Sequence, residues 1–308
     1  MKSIKIKFVD FFSGFDQTYN GIYILLSRFF NLEISEDPDF IFFSVWGNSH
    51  LEYSCTKIFI TGENVRPNFF LCDYALGFDF LEKENYLRLP LYVYWKSLDY
   101  KRLIFPDFKN IIDDHPKSKF CCFVVSNPKS VRRIDFFKKL SQYQTVDSGG
   151  KVKNNMGYLV SDKLAFMSPY KFMIAFENSS YPGYVTEKIY ECFFTNTIPI
   201  YWGSQLIQKD FNTKRILNRF DFNSDDELIE RIKYLNENNE AYLEFISQPV
   251  FHKNEPNSYL REENIQIFFN KIFTGDKKTK SIGTKKNIGI ALRMIRNFYS
   301  KNFRKSFR

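Results

Sequence analysis

Two neighbouring charges, Glu187 and Lys188, lie in the stretch from Lys171 to Ser204, KFMIAFENSSYPGYVTEKIYECFFTNTIPIYWGS. Phe172–Phe176 is a short apolar run, Glu177 to Gly183 is polar and turn-forming, and Thr186 stands where an N-cap opens a helix. Ile189, Phe193 and Phe194 then recur at helical spacing before Pro199 stops it. A strand, a glycine-containing turn and a helix present backbone N–H groups and a positive dipole end to an anion. A lysine in the first helical turn opposes that dipole, so a bound anion explains Lys188 better than a solvated surface position does. An ammonium or guanidinium there suits phosphate oxygens. A different chemistry is offered by Glu63 in Thr61-Gly62-Glu63-Asn64. A carboxylate leaving the apolar run Lys57–Ile60 can act as a general base; the alternatives are a solvated loop carboxylate or an N-cap partner.

Other polar groups do not assemble into a site. Asp37-Pro38-Asp39 spells the D-x-D metal–nucleotide pattern but precedes an apolar strand, and reads as turn or cap chemistry. Asp113-Asp114-His115 has no second ligand cluster, and His50 and His252 are isolated. Cys55, Cys72, Cys121, Cys122 and Cys192 show no paired zinc spacing and read as buried free thiols of a reducing compartment.

The elements that must position these groups alternate between short strands and helices. Lys5–Phe12, Phe40–Val45, Lys57–Ile60, Phe70–Gly77 and Leu87–Tyr94 carry the β signal, with a helix at Gly21–Phe30. Around Lys101–Lys119 the composition shifts toward proline and charge, which reads as a crossing between domains. A second set follows in Phe120–Ser126, Asp135–Leu140 (helical), Tyr143–Val146, Phe172–Phe176 and Ile198–Trp202. Helices close it at Asp225–Asn236 and Asn257–Phe273. This alternation argues open sheets with helices packed on them.

At 308 residues with 44% hydrophobic composition the chain can hold two globular domains. The 36 Phe and 19 Tyr accord with A/T-rich codon usage rather than an aromatic sugar platform. The net charge of +9 is local: eleven Lys and Arg and no acid lie from Lys277 on, leaving 33 basic against 35 acidic residues elsewhere. The folded body is therefore not basic, and nucleic-acid binding is not expected. The start MKSIKIKFVDFF lacks the apolar core and cleavage site of a secretory signal. In the tail, Ile288, Leu292, Ile295, Tyr299 and Phe303 share a helical face while Arg293, Lys301, Arg304, Lys305 and Arg308 point elsewhere. That is the pattern of a helix lying on an anionic membrane surface; a disordered tail and a helix docked on a partner are the alternatives.

The block FENSSYPGYVTEKIYECFFTNTIPIYWGS resembles the signature of the α-1,3/4-fucosyltransferases, glycosyltransferase family 10. ITGENVRPNFFLCDYALGFD from Ile60 and FVVSNPKSVRRIDFFKKL from Phe123 match the same family in the same order, so the likeness runs from Lys5 to Lys271. It implies an α/β protein of GT-B architecture, two Rossmann-like domains facing across a cleft. Residues 1–105 would bind acceptor, 106–119 link, and 120–273 bind GDP-fucose, with the 257–273 helix packing back on the first domain and 274–308 as the basic tail. The implied reaction moves fucose with inversion from GDP-fucose to N-acetyllactosamine- or lactose-type acceptors in Lewis-type polysaccharide. The implied place is the bacterial cytoplasm, at the inner face of the membrane. The resemblance makes Glu63 the general base and Lys188 and Arg133 the diphosphate partners, leaving Arg132 as a solvated helix residue. Glu187 would hold the nucleotide sugar. Asn178 (or an Asx turn), Tyr184 (or turn packing), Ser126 and Asn127 would complete the donor site. Asp10, Phe12 and Trp46 lie at strand ends where an acceptor would dock, with core packing as the alternative for the aromatics. No metal or cofactor is implied as obligatory. The alternatives are a GT-B transferase with another nucleotide-sugar donor and a non-catalytic basic membrane-surface protein.

Overall fold

The computed structural model describes residues 3–95, 99–104 and 117–281. The chain divides into two compact units, Met1–Leu89 with the segment from Glu262 on, and Pro90–Arg261. The first is built from β1 (Ile4–Val9), α1 (Gly21–Leu26), β2 (Leu32–Ile34), β3 (Phe40–Phe43), β4 (Thr56–Ile60), β5 (Tyr74–Gly77) and β6 (Tyr86–Arg88). All neighbours are parallel, in the order β2-β1-β3-β4-β5-β6. A parallel sheet is covered on both faces, which is why strands such as Phe40–Phe43 are continuous apolar runs, buried throughout. Register carries Phe8 beside Phe42 and Phe42 beside Ile58. Strand order reverses at β1, and the loops leaving β1, β3 and β4 at the carboxyl edge begin at Asp10, Ser44 and Thr61. In open α/β sheets that edge is where ligands are held.

The second unit opens with α2 (Leu91–Tyr94) and continues through β7 (Lys119–Phe123), α3 (Val131–Leu140), β8 (Val146–Ser148), α4 (Lys163–Met167), β9 (Tyr170–Phe176), α5 (Glu187–Phe194), β10 (Ile198–Trp202), β11 (Leu217–Asn218), α6 (Asp225–Glu237) and α7 (Asn239–Ile246). Its sheet is parallel in the order β11-β10-β9-β7-β8. Phe123, Phe136, Phe172, Phe176 and Ile200 form the core between this sheet and helices α3 and α6. The last helix, α8 (Glu262–Thr274), rejoins the first unit, where Phe273 packs edge-on against Phe30 and Phe40 with ring centroids 5.0 Å apart.

Three expectations change. The domain boundary falls after Leu89 rather than 105, because Tyr92 and Leu103 are buried with Val185, Ile189 and Phe211 of the second unit. Leu87–Tyr94, read as short β and loop, divides at Pro90 into β6 and helix α2, since proline cannot donate within a ladder. The start of the basic tail is docked. Lys277 and Thr279 pair with the backbone of Thr56 and Ser54, and Asp73 accepts from the Thr279 hydroxyl and the Lys280 and Ser281 amides. Asp39, the second acid of the D-x-D pattern, forms an ion pair with Lys277. The remaining tail from residue 282, most of the proposed linker and the Asp113-Asp114-His115 cluster lie outside the described residues. Among the described residues no helix is long and apolar enough to cross a membrane. All five cysteines are free thiols, and burial pushes Cys55 up to about 11 and Cys72 up to about 12.

Lys57, in the middle of β4, is 0% exposed and its Nζ has no hydrogen-bond partner among the described residues. Burial holds its ammonium below the ordinary lysine value, against a weaker opposing pull from Asp73. The unfolded chain therefore binds this proton more tightly. The resulting penalty is complete below the folded-state pKa and vanishes above the unfolded one. Lys57→Met should raise Tm at neutral pH by a few degrees, corresponding to about 1–4 kcal/mol. The gap between variant and wild type should close as pH approaches 10.5, the reference value. Thermal melts across pH check both.

Candidate functional site

Strands β7, β9 and β10 are parallel neighbours, so the residues that follow them share one edge of the second sheet. Glu177, directly after β9, extends the ladder by donating its N–H to Trp202 O at 2.8 Å. Its carboxylate is fully buried and accepts from the Thr186 N–H at 2.7 Å and from the Thr186 hydroxyl at 2.7 Å. Gly203 makes room for it: a Cβ there would lie 2.5 Å from Glu177 Cγ. The intervening turn is strapped to the end of β10 by Ser180 Oγ donating to Gly203 O and Gly183 N–H donating to Ser204 Oγ, at 2.7 and 2.9 Å. Gly183 takes a φ of +88°, a conformation that glycine adopts without strain.

Helix α5 starts at the end of this strapped turn. Lys188 Nζ lies 3.2 Å from Glu177, 3.4 Å from Glu187 and 2.9 Å from Thr186 Oγ1, with its side chain 15% exposed. Burial alone would lower its pKa, but the Glu177 and Glu187 carboxylates outweigh burial and hold the ammonium charged above its ordinary value. Burial would raise Glu187, and Lys188 and Lys163 overcome it, keeping that carboxyl low. A second cation comes from the first turn of α3. Arg133 is 1% exposed, donates to Phe176 O at 3.3 Å and to Asn178 Oδ1 at 3.0 Å, and keeps an Nε with no partner among the described residues. Burial lowers its pKa, against the pull of Glu177. A buried guanidinium and a half-buried ammonium, each from the first turn of a helix and both acting on one carboxylate, stand at the carboxyl edge of this sheet, an arrangement suited to an anion.

The structure brings Arg133, Asn178, Glu187 and Lys188 together. Asn178 is engaged by Arg133 rather than by an Asx turn. Tyr184 is 1% exposed, its backbone carbonyl lies 3.5 Å from the Tyr201 hydroxyl, and it acts electrostatically on Arg133. Ser126 and Asn127 follow β7 on the same sheet edge and are exposed, with Asn127 Oδ1 accepting from Lys129 N–H at 2.9 Å. Arg132, expected to be solvated, pairs with Asp225, which also binds Arg219. Glu177 reads in the sequence as a turn residue, and the signal for its role is an acid closing a fully apolar strand.

In the first unit, Glu63 stands just past β4, half-buried, its N–H donating to Thr61 Oγ1 at 3.0 Å. Asp10 is not available to a ligand, which corrects the expectation for it. Its carboxylate accepts from the Ser49 and His50 amides at 2.7 and 2.9 Å and meets His50 Nδ1 at 2.6 Å. It tethers the 46–50 loop, at a φ of 59°, and accounts for His50. Phe12 and Trp46 are 55% and 59% exposed, so core packing is not their role.

The comparisons with known proteins decide the family. Residues 6–95 match the model of the alpha-(1,3)-fucosyltransferase FucT N-terminal domain, and residues 114–266 match glycosyltransferase family 10 (fucosyltransferase) C-term. A crystal structure of an alpha1,3-fucosyltransferase with GDP-fucose superposes with a TM-score of 0.74 at 33% identity, covering 89% of this chain and 91% of that one. The chain belongs to glycosyltransferase family 10. Its two parallel-sheet units are accordingly of the GT-B type. Among family 10 relatives, the Helicobacter pylori alpha-(1,3)-fucosyltransferase FucT is 35% identical over 296 residues, 83% of this chain and 62% of that protein. A putative fucosyltransferase R654 of Acanthamoeba polyphaga mimivirus is 35% identical over 171 residues, 52% of this chain and 28% of its own. The chain thus spans less than two thirds of the length of these relatives.

Proposed function

We propose that this family 10 chain is an inverting α-1,3-fucosyltransferase that transfers fucose from GDP-fucose to an N-acetyllactosamine- or lactose-type acceptor. The observation that carries the reading is the cation pair Lys188 and Arg133 at the carboxyl edge of the second sheet. It is supported by likeness to a structure that holds GDP-fucose. In the reaction the acceptor hydroxyl oxygen forms its bond to the anomeric carbon of fucose as the bond to the diphosphate oxygen breaks. Glu63 takes the hydroxyl proton, and GDP leaves with the bonding pair, its charge received by Lys188, Arg133 and the start of α5. Neutralising a leaving group by fixed positive groups is electrostatic catalysis, and these cations supply it without a divalent metal. Glu187, kept ionised beside Lys188, is suited to accept from sugar hydroxyls of the donor. The exposed rings of Phe12 and Trp46 offer apolar faces to an acceptor sugar.

Incubating the full chain with GDP-fucose and N-acetyllactosamine, and reading the product linkage by NMR, tests this. An α-1,3-fucosylated trisaccharide is expected. Nucleotide release from a different nucleotide sugar, with none from GDP-fucose, would overturn the donor assignment. A Lewis-type surface polysaccharide is the product class that such an acceptor implies. We also propose that the basic stretch beyond residue 281 attaches the enzyme to anionic membrane at the inner face of a bacterial cytoplasmic membrane. Each basic residue near such a surface contributes about 1 kcal/mol. Binding to vesicles containing anionic lipid at low salt, lost at high salt, is expected, and a chain that stays in the supernatant at low salt refutes it.

A further inference from the structure

We infer that Glu177 is a positioning residue for the donor site: it fixes the Lys188 ammonium and the opening turn of α5 in the arrangement that receives the diphosphate. This rests on the donor-site reading above and adds a residue to it. A threonine at the N-cap ordinarily accepts from the amide two or three residues on. Thr186 makes no such side-chain cap bond. Its hydroxyl instead donates to Glu177 and accepts from Lys188 Nζ, at 2.7 and 2.9 Å. The reciprocal glutamate of a capping box would stand at the third helical position, where this chain has Ile189. Glu177 performs that task from the preceding strand, accepting from the Thr186 amide. Thr186 therefore does not cap the Lys188 and Ile189 amides.

The groups facing Lys188 are Glu177 from the end of β9, Glu187 on its own helix and Arg133 from α3, while Lys163 from α4 and Tyr94 from α2 act on Glu187. The two carboxylates raise the lysine pKa, and burial and Arg133 lower it. Removing the Glu177 charge leaves the lowering influences stronger, so Lys188 sheds its proton at lower pH.

The test is calorimetric titration of the full chain with GDP from about pH 7.5 up to 10.5, the reference lysine value, the variants first shown folded by thermal melt. Glu177→Gln keeps the shape and an acceptor oxygen for the Thr186 amide but loses the charge. It should bind GDP roughly tenfold or more weakly than wild type, by a factor that grows as pH rises. Adding Lys188→Arg, a cation that cannot lose its proton, should remove the growing limb. Glu177→Asp, which keeps the charge but withdraws it by one methylene, should bind weakly with a level profile, and serves if the glutamine variant does not fold. Wild-type affinity in the tested variants overturns the inference. So does a uniform loss in Glu177→Gln that parallels wild type across pH and ignores Lys188→Arg, because that is what a merely structural role produces. Wild-type protein that fails to bind GDP overturns the donor-site reading and this inference with it.

Discussion

Glu63→Ala is expected to lower kcat for transfer by about 10²–10⁴-fold, the contribution of a positioned general base, while GDP affinity stays unchanged. The carboxylate stands at the loop after β4, half-buried, and among the described residues no ion pair engages it. Asp10, after β1, shows the contrast: two amides and an imidazole consume its oxygens. Donors within the protein already hold the Asp10 oxygens, so they are not presented to an acceptor hydroxyl. Glu63→Gln should lose as much as the alanine, since it keeps the volume and removes the basicity. GDP affinity should persist because Lys188 and Arg133, the cations proposed to receive the diphosphate, belong to the second unit. Turnover measured by coupled GDP release at saturating GDP-fucose checks this, and an undiminished rate removes Glu63 from the mechanism.

Lys188→Ala is expected to weaken GDP binding at least roughly 30-fold, as truncation of one member of a buried charged contact commonly does. Two effects add here. The diphosphate loses an ammonium held charged by Glu177 and Glu187, and those carboxylates are left facing the anion with no cation between. Burial already pushes Glu177 up, so without Lys188 it should take up a proton more readily and the melting temperature should fall as well. Titration calorimetry gives the affinity and a thermal melt separates it from unfolding. Affinity equal to wild type in a folded variant would dismiss Lys188 as a phosphate ligand. Arg133→Lys should fall between the two, because a point charge cannot reach Phe176 O and Asn178 together as the guanidinium fork does.

The chain's order alone determined what depends on neighbouring residues. Apolar runs such as Phe40–Phe43 and Phe172–Phe176 became buried parallel strands, Pro182–Gly183 with Thr186 announced the turn and helix start, and the family motifs pointed to Arg133, Glu187 and Lys188. These signals act through backbone periodicity and turn chemistry over a few residues. Tertiary structure decided the pairings. Asp10 and Glu63 are both acids just beyond the strand ends of one sheet, yet only Asp10 is tied down, because the 46–50 loop folds over it. Glu177 is nine positions from Thr186 and meets it only because β9 and β10 lie side by side and Gly203 leaves space. Helix α8 and the start of the basic tail return to the first unit through Phe273 and Asp73, more than 200 residues from their partners. A carboxylate's role depends on which donors reach it, and those donors arrive from strands whose adjacency no local pattern records.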